Sequence, residues 1–428
     1  MRRPFSPWRN AFTCLGLALL ILFLALVPGS LLQPSVSVAA SPSLTERRGV
    51  WLTNVASAVL FTPGSVNRAI KQLSQLHFNT VYPVVWNRGY TFYPSGLAQQ
   101  MIGQEQEPLL SWINGGSDVL KVMVKESHGH GLQVIPWFEY GLMIPENSLL
   151  AKKHPDWLTY SQQGTNLPYQ DELEAKSPVK SGNFLQRWRK TAHNKRVSQL
   201  AWLNPLHPEV QQFIKGLMLE VVMGYDVDGV QLDDHFGMPV ELGYDPLTIK
   251  LYQQEHGGKS PPKDTHNAEW MRWRAAKLTV LMADIVKSLK IAKSSIKISL
   301  SPNSHDFSYQ NYLQDWQAWV KRGLIDELVL QVYREDLDGF KGELSKPTVQ
   351  FARQKIPVSV GILSGTLNSP VTMKQIQEQV KIVREKGFDG VSFFYWESLW
   401  GYFSPESPYK RRQAFEKMFI DKLFLLIL

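Results

Sequence analysis

Apolar and polar positions along the chain predict strands and helices in strict alternation. Short runs rich in β-branched and aromatic residues are each followed by segments with apolar residues three and four positions apart, the spacing of one helix face. Val66, Ile70 and Leu73 form one such stripe. The eight predicted strands are Arg48–Val55, Asn79–Trp86, Leu132–Tyr140, Gly229–His235, Lys297–Pro302, Glu327–Tyr333, Pro357–Leu363 and Gly390–Glu397.

Strands that alternate with helices predict an α/β fold with a parallel sheet, and eight such units close into a (β/α)8 (TIM) barrel. The longest irregular stretch, residues 141–208, follows the third strand and is rich in Pro, Asn, Gln, Lys and Arg. Because it follows a strand, this insertion is expected on the face where barrels keep their active sites. No internal repeat or low-complexity linker divides the chain, so we predict a single domain over residues 46–428.

The first forty residues carry the three-part pattern of a secretory signal. Arg2, Arg3 and Arg9 precede an apolar run over residues 11–27, and Ser37 to Ala40 supply the small residues of a cleavage site. The apolar run has 17 residues, slightly long for a signal core and slightly short for a membrane span. We predict a signal peptide over residues 1–40 and a secreted or periplasmic (extracytoplasmic) protein. The alternative is retention of this segment as a membrane anchor.

Loss of the signal changes the composition of the mature chain. It removes Cys14, the only cysteine, and therefore excludes disulfides, thiolate metal ligands and a cysteine nucleophile. It also removes three arginines, which lowers the formal charge from +8 to +5. So small a charge argues against nucleic acid as a partner. The 14 tryptophans are the more informative count, because they either form the core or line a binding cleft.

The fourth predicted strand carries the strongest chemical signal. It is apolar until it ends in Asp233, Asp234 and His235. Side chains alternate along a strand, so Gln231, Asp233 and His235 share one face and Asp234 points toward the neighbouring loop. Two carboxylates and an imidazole at the end of a barrel strand indicate a catalytic site. The structural alternative is that Asp234 caps the following turn and His235 binds a loop carbonyl.

Glutamates lie at the ends of three other strands: Glu139 on the third, Glu335 on the sixth and Glu397 on the eighth. Each alone is equally compatible with an ion-paired residue at the rim. Together on one face they predict a carboxylate-rich cleft. Glycoside hydrolysis needs two carboxyl groups that flank the bond, one protonated as acid and one ionised as nucleophile or base. Glu139 and Glu397 also have aromatic neighbours, which raise the pKa of a carboxyl group by desolvation.

Aromatic and amide side chains accompany these carboxylates. Tryptophan faces stack on sugar rings, and amides hydrogen-bond to sugar hydroxyls, so such residues near strand ends are candidate ligands of a polysaccharide or oligosaccharide. For the asparagines the alternative is the capping of helices and turns. The candidate substrate-binding residues are Trp51, Asn54, Trp86, Trp137, Asn204, Gln231, His235, Asn303, Gln331, Tyr333 and Trp396.

Several segments, in this order, resemble the glycosyl hydrolase-like 10 family of bacterial extracytoplasmic (β/α)8 proteins. The resemblance covers residues 46–400. It implies a glycosidase that acts on a bacterial envelope or extracellular polysaccharide, with peptidoglycan glycan chains among the candidates, and it implies no cofactor. The segments that carry it are Arg48–Thr53, Leu203–Pro205, Pro208–Val210, Tyr225–Asp234, Ser299–Pro302, Gln331–Tyr333 and Gly390–Phe394.

The Gly229-x-Gln231-x-Asp233 spacing also resembles the fourth strand of α-amylase-type barrels, whose nucleophile would match Asp233. Those barrels carry arginine where Gln231 stands, and their acid glutamate on strand five has no counterpart within residues 297–303. We therefore predict Asp233 as nucleophile or base and Asp234 as its supporting carboxylate. Glu139 or Glu397 is the predicted acid, with Glu335 as a third candidate.

Two other functions fit the same residues. A metal-dependent polysaccharide deacetylase would use Asp233, Asp234 and His235 as ligands. Such enzymes need two more histidines a helical turn apart, whereas the spacing of His128 and His130 puts them on opposite sides of a helix. A non-catalytic glycan-binding barrel is the second alternative, and the missing glutamate on strand five keeps it open.

Overall fold

A parallel sheet at the centre of the protein contains all eight predicted strands. The computed structural model describes residues 46–55, 57–115, 117–167, 200–366, 369–401 and 404–425. The strands are β1 (Arg47–Leu52), β2 (Thr80–Pro83), β3 (Trp86–Asn87), β4 (Tyr90–Thr91), β5 (Gln133–Val134), β6 (Trp137–Phe138), β7 (Met143–Pro145), β8 (Leu200–Trp202), β9 (Gly229–Asp233), β10 (Lys297–Ser301), β11 (Glu327–Gln331), β12 (Val358–Leu363), β13 (Gly365–Thr366), β14 (Ser369–Pro370) and β15 (Gly390–Phe394).

The sheet closes on itself through the third predicted strand. Its order is β5-β2-β1-β15-β12-β11-β10-β9-β6, and all neighbours run parallel. Pro136 lies in the break between β5 and β6, which are two halves of one chain segment. Val134 pairs with Val81 on one side, and Trp137 pairs with Gln231 on the other. Because one segment forms both edges, the sheet is a closed barrel, which confirms the predicted (β/α)8 fold.

Helices cover the outside of the barrel and bury the stripes that the sequence predicts. In α1, for example, the Thr62 side chain accepts the Ser65 N–H and caps the first turn, and Val66, Ile70 and Leu73 are buried. The helices are α1 (Pro63–Gln75), α2 (Gly96–Ile102), α3 (Pro108–Asn114), α4 (Val119–Gly129), α5 (Leu149–Lys153), α6 (Pro208–Gly224), α7 (Pro246–Glu255), α8 (Ala268–Ala292), α9 (His305–Tyr312), α10 (Trp316–Lys321), α11 (Leu337–Leu344), α12 (Pro347–Arg353), α13 (Met373–Glu385), α14 (Trp396–Trp400) and α15 (Pro408–Leu425).

Most of the predicted strands extend too far at their C-terminal ends. The fourth ends at Asp233 rather than His235, and the eighth ends at Phe394 rather than Glu397. Trp396 and Glu397 instead belong to the short helix α14. The difference arises because the residues after each strand leave the sheet ladder and form turns and loops at the barrel mouth.

The two ends of the predicted insertion meet in a small antiparallel pair. β7 pairs with β8, with Met143 opposite Trp202, and Trp157, in the same insertion, is completely buried. Residues 168–199 of the insertion, like the predicted signal over residues 1–40, lie outside the described residues. Thr45–Leu428 forms one compact unit. Within the described ranges, no helix combines the length and the apolar character needed to cross a membrane.

A buried ion pair joins strands across the N-terminal end of the barrel. Arg47 pairs with Glu327, and the exposed fractions of the two side chains are only 15% and 7%. The Arg47 guanidinium also donates at 2.8 Å to Thr80 Oγ1 and to Gln133 Oε1. One side chain thus holds polar groups from β2, β5 and β11 at the end opposite to the predicted site.

Arg47→Met is expected to lower the free energy of unfolding by about 3 kcal/mol, because it leaves Glu327 buried without its cation. The double variant Arg47→Met with Glu327→Leu should recover most of the loss, since it removes both charges. Denaturant unfolding of the two variants and of the wild type measures this difference. A loss below about 0.5 kcal/mol in the single variant would mean that this pair behaves like an exposed one.

Candidate active site

Asp233 lies at the C-terminal end of β9 and is almost completely buried, with 2% of its surface exposed. Its Oδ2 accepts a hydrogen bond from Trp137 Nε1 at 2.7 Å. Its Oδ1 accepts from Gln331 Nε2 at 2.8 Å and from the Asp234 peptide N–H at 2.6 Å. An indole, an amide NH2 and a peptide N–H can only donate, so these three contacts favour the ionised form of Asp233.

Gln231 forms the layer below Asp233. Its Oε1 accepts from Trp51 Nε1 at 2.7 Å, and its Nε2 donates to Ser299 Oγ at 3.0 Å. These partners lie on β1 and β10, so the Gln231 side chain points into the barrel. Asp233, two residues further on, contacts β6 and β11 from the same face, as the alternation along the strand predicts.

Asp234 and His235 turn toward the neighbouring loops. Asp234 Oδ2 accepts from Asn303 Nδ2 at 2.5 Å. His235 Nδ1 lies 3.0 Å from the Glu139 carbonyl oxygen and 3.4 Å from Asp234 Oδ1. A carbonyl can only accept, so Nδ1 carries the proton in this contact. The structural alternative considered for His235 is therefore realised, and the carbonyl that it binds belongs to a candidate acid.

Glu139 follows β6 and is 9% exposed. Its Oε2 accepts from Asn87 Nδ2 and, at 3.5 Å, from Thr53 Oγ1. Burial raises the pKa of Glu139 to about 7, and the nearby charge of Asp234 adds to this rise. The Asn87 hydrogen bond, the Arg88 charge and the Thr53 hydroxyl act in the opposite direction. Glu139 is thus a carboxyl group that exchanges its proton near neutral pH.

Three carboxyl groups in this region interact, and we refer to Asp233, Asp234 and Glu139 as the carboxylate cluster. Burial raises the pKa of Asp233 well above its ordinary value, and the charge of Asp234, a side-chain hydrogen bond with Asp234 and the charge of Glu139 raise it further. Burial and the same three carboxylates also raise the pKa of the Tyr333 hydroxyl. Each group therefore titrates under the influence of the others, and protons leave the cluster in steps that belong to the whole.

The other two predicted acids lie elsewhere. Glu397 is on α14, and the Ser57 hydroxyl on the loop after β1 donates to its Oε1. Burial raises the pKa of Glu397 to about 8, against the effect of Ser57 and the Ala58 peptide N–H. Glu335 is exposed on the loop after β11. Of the three candidates, Glu139 is the one whose charge acts on Asp233.

The expectation that tryptophans stack on sugar is wrong for three of the four. Trp51, Trp86 and Trp137 are at most 3% exposed, and their rings pack against aromatic side chains of the protein. Trp51 stacks on Tyr82 at 5.1 Å between ring centres, and Trp137 instead serves as a hydrogen-bond donor to Asp233. Trp396 is partly buried and lies edge-on to Trp400 at 4.8 Å.

The predicted amide ligands divide into two groups. Asn303 and Gln331 contact the carboxylate cluster, as described above. Asn204 does not, because its Nδ2 donates to Asp245 Oδ1 at 2.8 Å and to Thr248 Oγ1 at 3.1 Å, and its Oδ1 accepts the Leu206 N–H at 2.9 Å. This asparagine has the turn-stabilising role of the structural alternative. Asn54 lies partly buried on the loop after β1.

Sequence reasoning missed four residues that shape the site. Asn87, Arg88 and Thr53 act on Glu139. Gln314 donates through Nε2 to the carbonyls of Asp233, at 2.9 Å, and Phe236, at 3.0 Å, and so supports the backbone after β9. The Asn-Arg-Gly segment at 87–89 was the one available signal, since it is typical of a tight turn directly after a strand.

Asp233, Asp234 and His235 are close enough together to share a metal ion. Asp233, Asp234 and His235 each offer one ligand atom, and these atoms lie within 4.8 Å of one another. Both Asp233 oxygens accept N–H donors, and His235 Nδ1 donates to a carbonyl. Each carboxylate oxygen has a second lone pair, and a histidine that donates through Nδ1 keeps the lone pair of Nε2. These contacts are therefore compatible with a bound cation as well as with a metal-free carboxylate.

A closed parallel barrel with buried, interacting carboxyl groups at the C-terminal ends of its strands defines the class of (β/α)8 glycosidase-type proteins. The chain belongs to the glycosyl hydrolase-like 10 family, whose sequence profile matches residues 46–172 and 165–383. The family resemblance read from the sequence is thereby confirmed.

Relatives of known name are similar over most of the chain. The glycosyl hydrolase DigH of Escherichia coli (strain K12) is 26% identical over 346 residues, which cover 72% of this chain and 70% of that protein. The glycosyl hydrolase YngK of Bacillus subtilis (strain 168) is 23% identical over 348 residues, which cover 72% of this chain and 58% of that protein.

Solved structures share the fold. The glycoside hydrolase domain of PgaB (BpsB) from Bordetella bronchiseptica superposes with a TM-score of 0.59 at 12% identity, over 87% of this chain and 98% of that one. The catalytic domain of β-amylase from Paenibacillus polymyxa gives 0.54 at 12% identity, over 88% and 98%. At this identity the likeness concerns the barrel architecture alone.

Proposed function

We propose that the protein is a glycoside hydrolase that cleaves a polysaccharide with Asp233 and Glu139 as its catalytic pair. The observation that carries this proposal is the contrast between the two carboxyl groups. Asp233 accepts three N–H donors, whereas Glu139 is a buried carboxyl with a pKa raised to about 7. The pKa values of both groups are raised, but the three N–H donors favour the anion at Asp233, and Glu139 is the proton donor of the proposed pair. This is the division of roles that glycoside hydrolysis requires.

Glu139 is the acid in this mechanism. Both hydrogen bonds of its carboxyl fall on Oε2, from Asn87 and Thr53, so the proton resides on Oε1. It is transferred to the glycosidic oxygen as the bond to the leaving sugar breaks. Asn87 and Thr53 then stabilise the carboxylate that remains. Asp233 acts either as the nucleophile that attacks the anomeric carbon or as the base that activates a water molecule.

Neighbouring groups support these roles. Asn303 orients Asp234, whose charge lies beside both catalytic residues and influences when each loses its proton. Burial and the charges of the carboxylate cluster raise the pKa of the Tyr333 hydroxyl, so it stays protonated and remains a hydrogen-bond donor in the working enzyme. Gln331 and Trp137 keep the Asp233 carboxylate in one orientation.

The pH dependence of kcat/KM follows from the two pKa shifts. Activity should rise as Asp233 loses its proton, at a pH above the ordinary aspartate value of about 3.9 because its pKa is raised. Activity should fall again as Glu139 loses its proton, near pH 7. We therefore expect a bell-shaped profile whose acidic limb follows the deprotonation of Asp233 and whose alkaline limb lies near pH 7. A profile that continues to rise through pH 8 would be incompatible with Glu139 as the acid.

The proposed substrate is a bacterial envelope or extracellular polysaccharide, with peptidoglycan glycan strands as one candidate. Support comes from the signal-like first forty residues, which suggest a secreted or periplasmic protein, cleaved or held by its apolar segment. The two bacterial relatives that are named glycosyl hydrolases support the class of reaction, cleavage of a glycosidic bond.

Release of reducing ends tests the proposed function. The purified protein is incubated with a panel of bacterial glycans that includes peptidoglycan strands, and new reducing ends are quantified over time. We expect release from at least one glycan class, with oligosaccharide products. Binding to a glycan without any release across the panel would instead identify a non-catalytic glycan-binding barrel.

A further inference from the structure

We propose that the hairpin Trp86–Thr91 is a positioning element for the acid Glu139, and that Asn87 is its positioning residue. The proposal rests on the function proposed above, and it assigns a role to a segment outside the eight barrel strands. Three features of the hairpin carry it: its tight turn, its attachment to the two residues after Glu139, and the buried Asn87 amide.

The hairpin has little conformational freedom. β3 and β4 pair antiparallel, with Trp86 opposite Thr91 and Asn87 opposite Tyr90. The two residues of the turn, Arg88 and Gly89, both have positive φ angles, 52° and 80°. This is the two-residue turn that matches the twist of a hairpin. Positive φ is uncommon for arginine and is retained where the surrounding structure requires it.

The hairpin is attached to the chain directly after Glu139. Trp86 Nε1 donates to the Gly141 carbonyl at 3.0 Å, and the Tyr140 N–H donates to the Trp86 carbonyl at 3.3 Å. The Trp86 ring packs edge-on against Phe213 at 5.7 Å. The buried tryptophan that sequence analysis assigned to sugar stacking therefore anchors the hairpin beside the acid.

Asn87 connects the hairpin to the Glu139 carboxyl through a hydrogen bond. It is completely buried, and its Nδ2 donates to Glu139 Oε2. Its Oδ1 is also buried and, among the described residues, accepts no hydrogen bond. A buried carbonyl oxygen without a hydrogen bond lowers the stability of the fold. The favourable contribution of the Asn87 side chain is therefore its hydrogen bond to Glu139. Because an NH2 group can only donate, it keeps the carboxyl proton off Oε2 and on the opposite oxygen.

Arg88 brings a positive charge to the same hairpin. Its side chain is exposed, yet its charge acts on Glu139 and it bonds with the Tyr140 hydroxyl. The hairpin therefore presents one amide and one cation to the acid. Both favour the carboxylate that forms when the proton has been transferred.

Asn87→Leu removes the donor at similar volume and tests the proposal. The alkaline limb of the kcat/KM profile should move up by about one pH unit, since a hydrogen bond to a charged group is lost. kcat should fall while KM stays unchanged, because the substrate does not contact Asn87. Asn311→Leu is the matched control, because among the described residues the Asn311 side-chain amide donates to the Phe307 carbonyl within α9, away from Glu139, so the limb should stay in place. An unmoved limb in Asn87→Leu overturns the proposal.

A second readout separates this proposal from the proposed function. Carbon-13 NMR of labelled glutamate carboxyls reports the titration of Glu139 without any substrate, with Glu139→Gln identifying its signal. The proposal expects an upward shift in Asn87→Leu even if no glycan is cleaved. The isosteric Asn87→Asp, for use if the leucine variant does not fold, should shift the titration further, because a second carboxyl replaces the donor. Identical titrations in wild type and variant overturn the role of Asn87, whatever the activity.

Discussion

Asp233→Asn is expected to lower kcat/KM by at least about 10³-fold, the largest effect of any single substitution in this protein. The amide has nearly the same size and shape as the carboxylate, but it cannot attack an anomeric carbon or take a proton from water. Its NH2 group would also face the N–H donor of Trp137, Gln331 or Asp234. Two donors cannot form a hydrogen bond with each other, so this contact is unfavourable. Initial rates of reducing-end release on the best glycan of the panel measure this loss.

Asp228→Asn is the matched control for this variant. Asp228 precedes β9 at the opposite end of the barrel, where its side chain accepts the Val134 N–H and contacts His128. The isosteric amide retains an acceptor for Val134, so kcat/KM should stay within about twofold of the wild type. Turnover within about tenfold of the wild type in a folded Asp233→Asn variant would remove Asp233 from the mechanism.

Glu139→Gln should have the second largest effect, and its size should depend on the leaving group. A sugar alcohol leaves poorly without a proton, so natural glycan cleavage should fall by about 10²- to 10⁴-fold. An aryl glycoside with an acidic phenol needs no proton, so its cleavage should fall much less. The alkaline limb of the pH profile should also disappear in the variant, because it belongs to Glu139.

Glu397→Gln and Glu335→Gln are the comparisons that make this result specific. Neither residue belongs to the carboxylate cluster, since Glu397 binds Ser57 and Glu335 is exposed. We expect both variants to cleave natural and aryl glycosides in the wild-type ratio. If Glu397→Gln instead showed the dependence on the leaving group and Glu139→Gln did not, Glu397 would be the acid.

The barrel itself could be predicted because its information is local. Each strand buries a short run of apolar side chains, and each helix buries a stripe of apolar residues spaced three and four positions apart. These two patterns alternate eight times along the sequence, so they predict eight strand–helix units without any knowledge of long-range contacts. The stripe of α1 and the apolar run of β9 are examples. The ends of the strands were less well predicted, since residues such as Glu397 leave the sheet where loop contacts replace the ladder.

The site could be predicted only in part, for a related reason. Alternation along β9 places Gln231 and Asp233 on the inner face, and the structure has them there. The choice among Glu139, Glu335 and Glu397 depends on burial and on distances between strands, which a strand-end position does not contain. The same limit explains the error on Trp51 and Trp86, because an indole at a strand end packs inward as readily as it faces a ligand.

Mass spectrometry of the products formed in oxygen-18 water tests the central claim most directly. We predict that wild-type protein, after exhaustive chelation, adds one labelled water to the reducing end of each new glycan fragment. Asp233→Asn and Glu139→Gln should add almost none. Intact chains that lose acetyl groups in a metal-dependent reaction would contradict the claim and indicate a deacetylase. Labelled cleavage at the wild-type rate in Asp233→Asn would contradict the assignment of the catalytic pair.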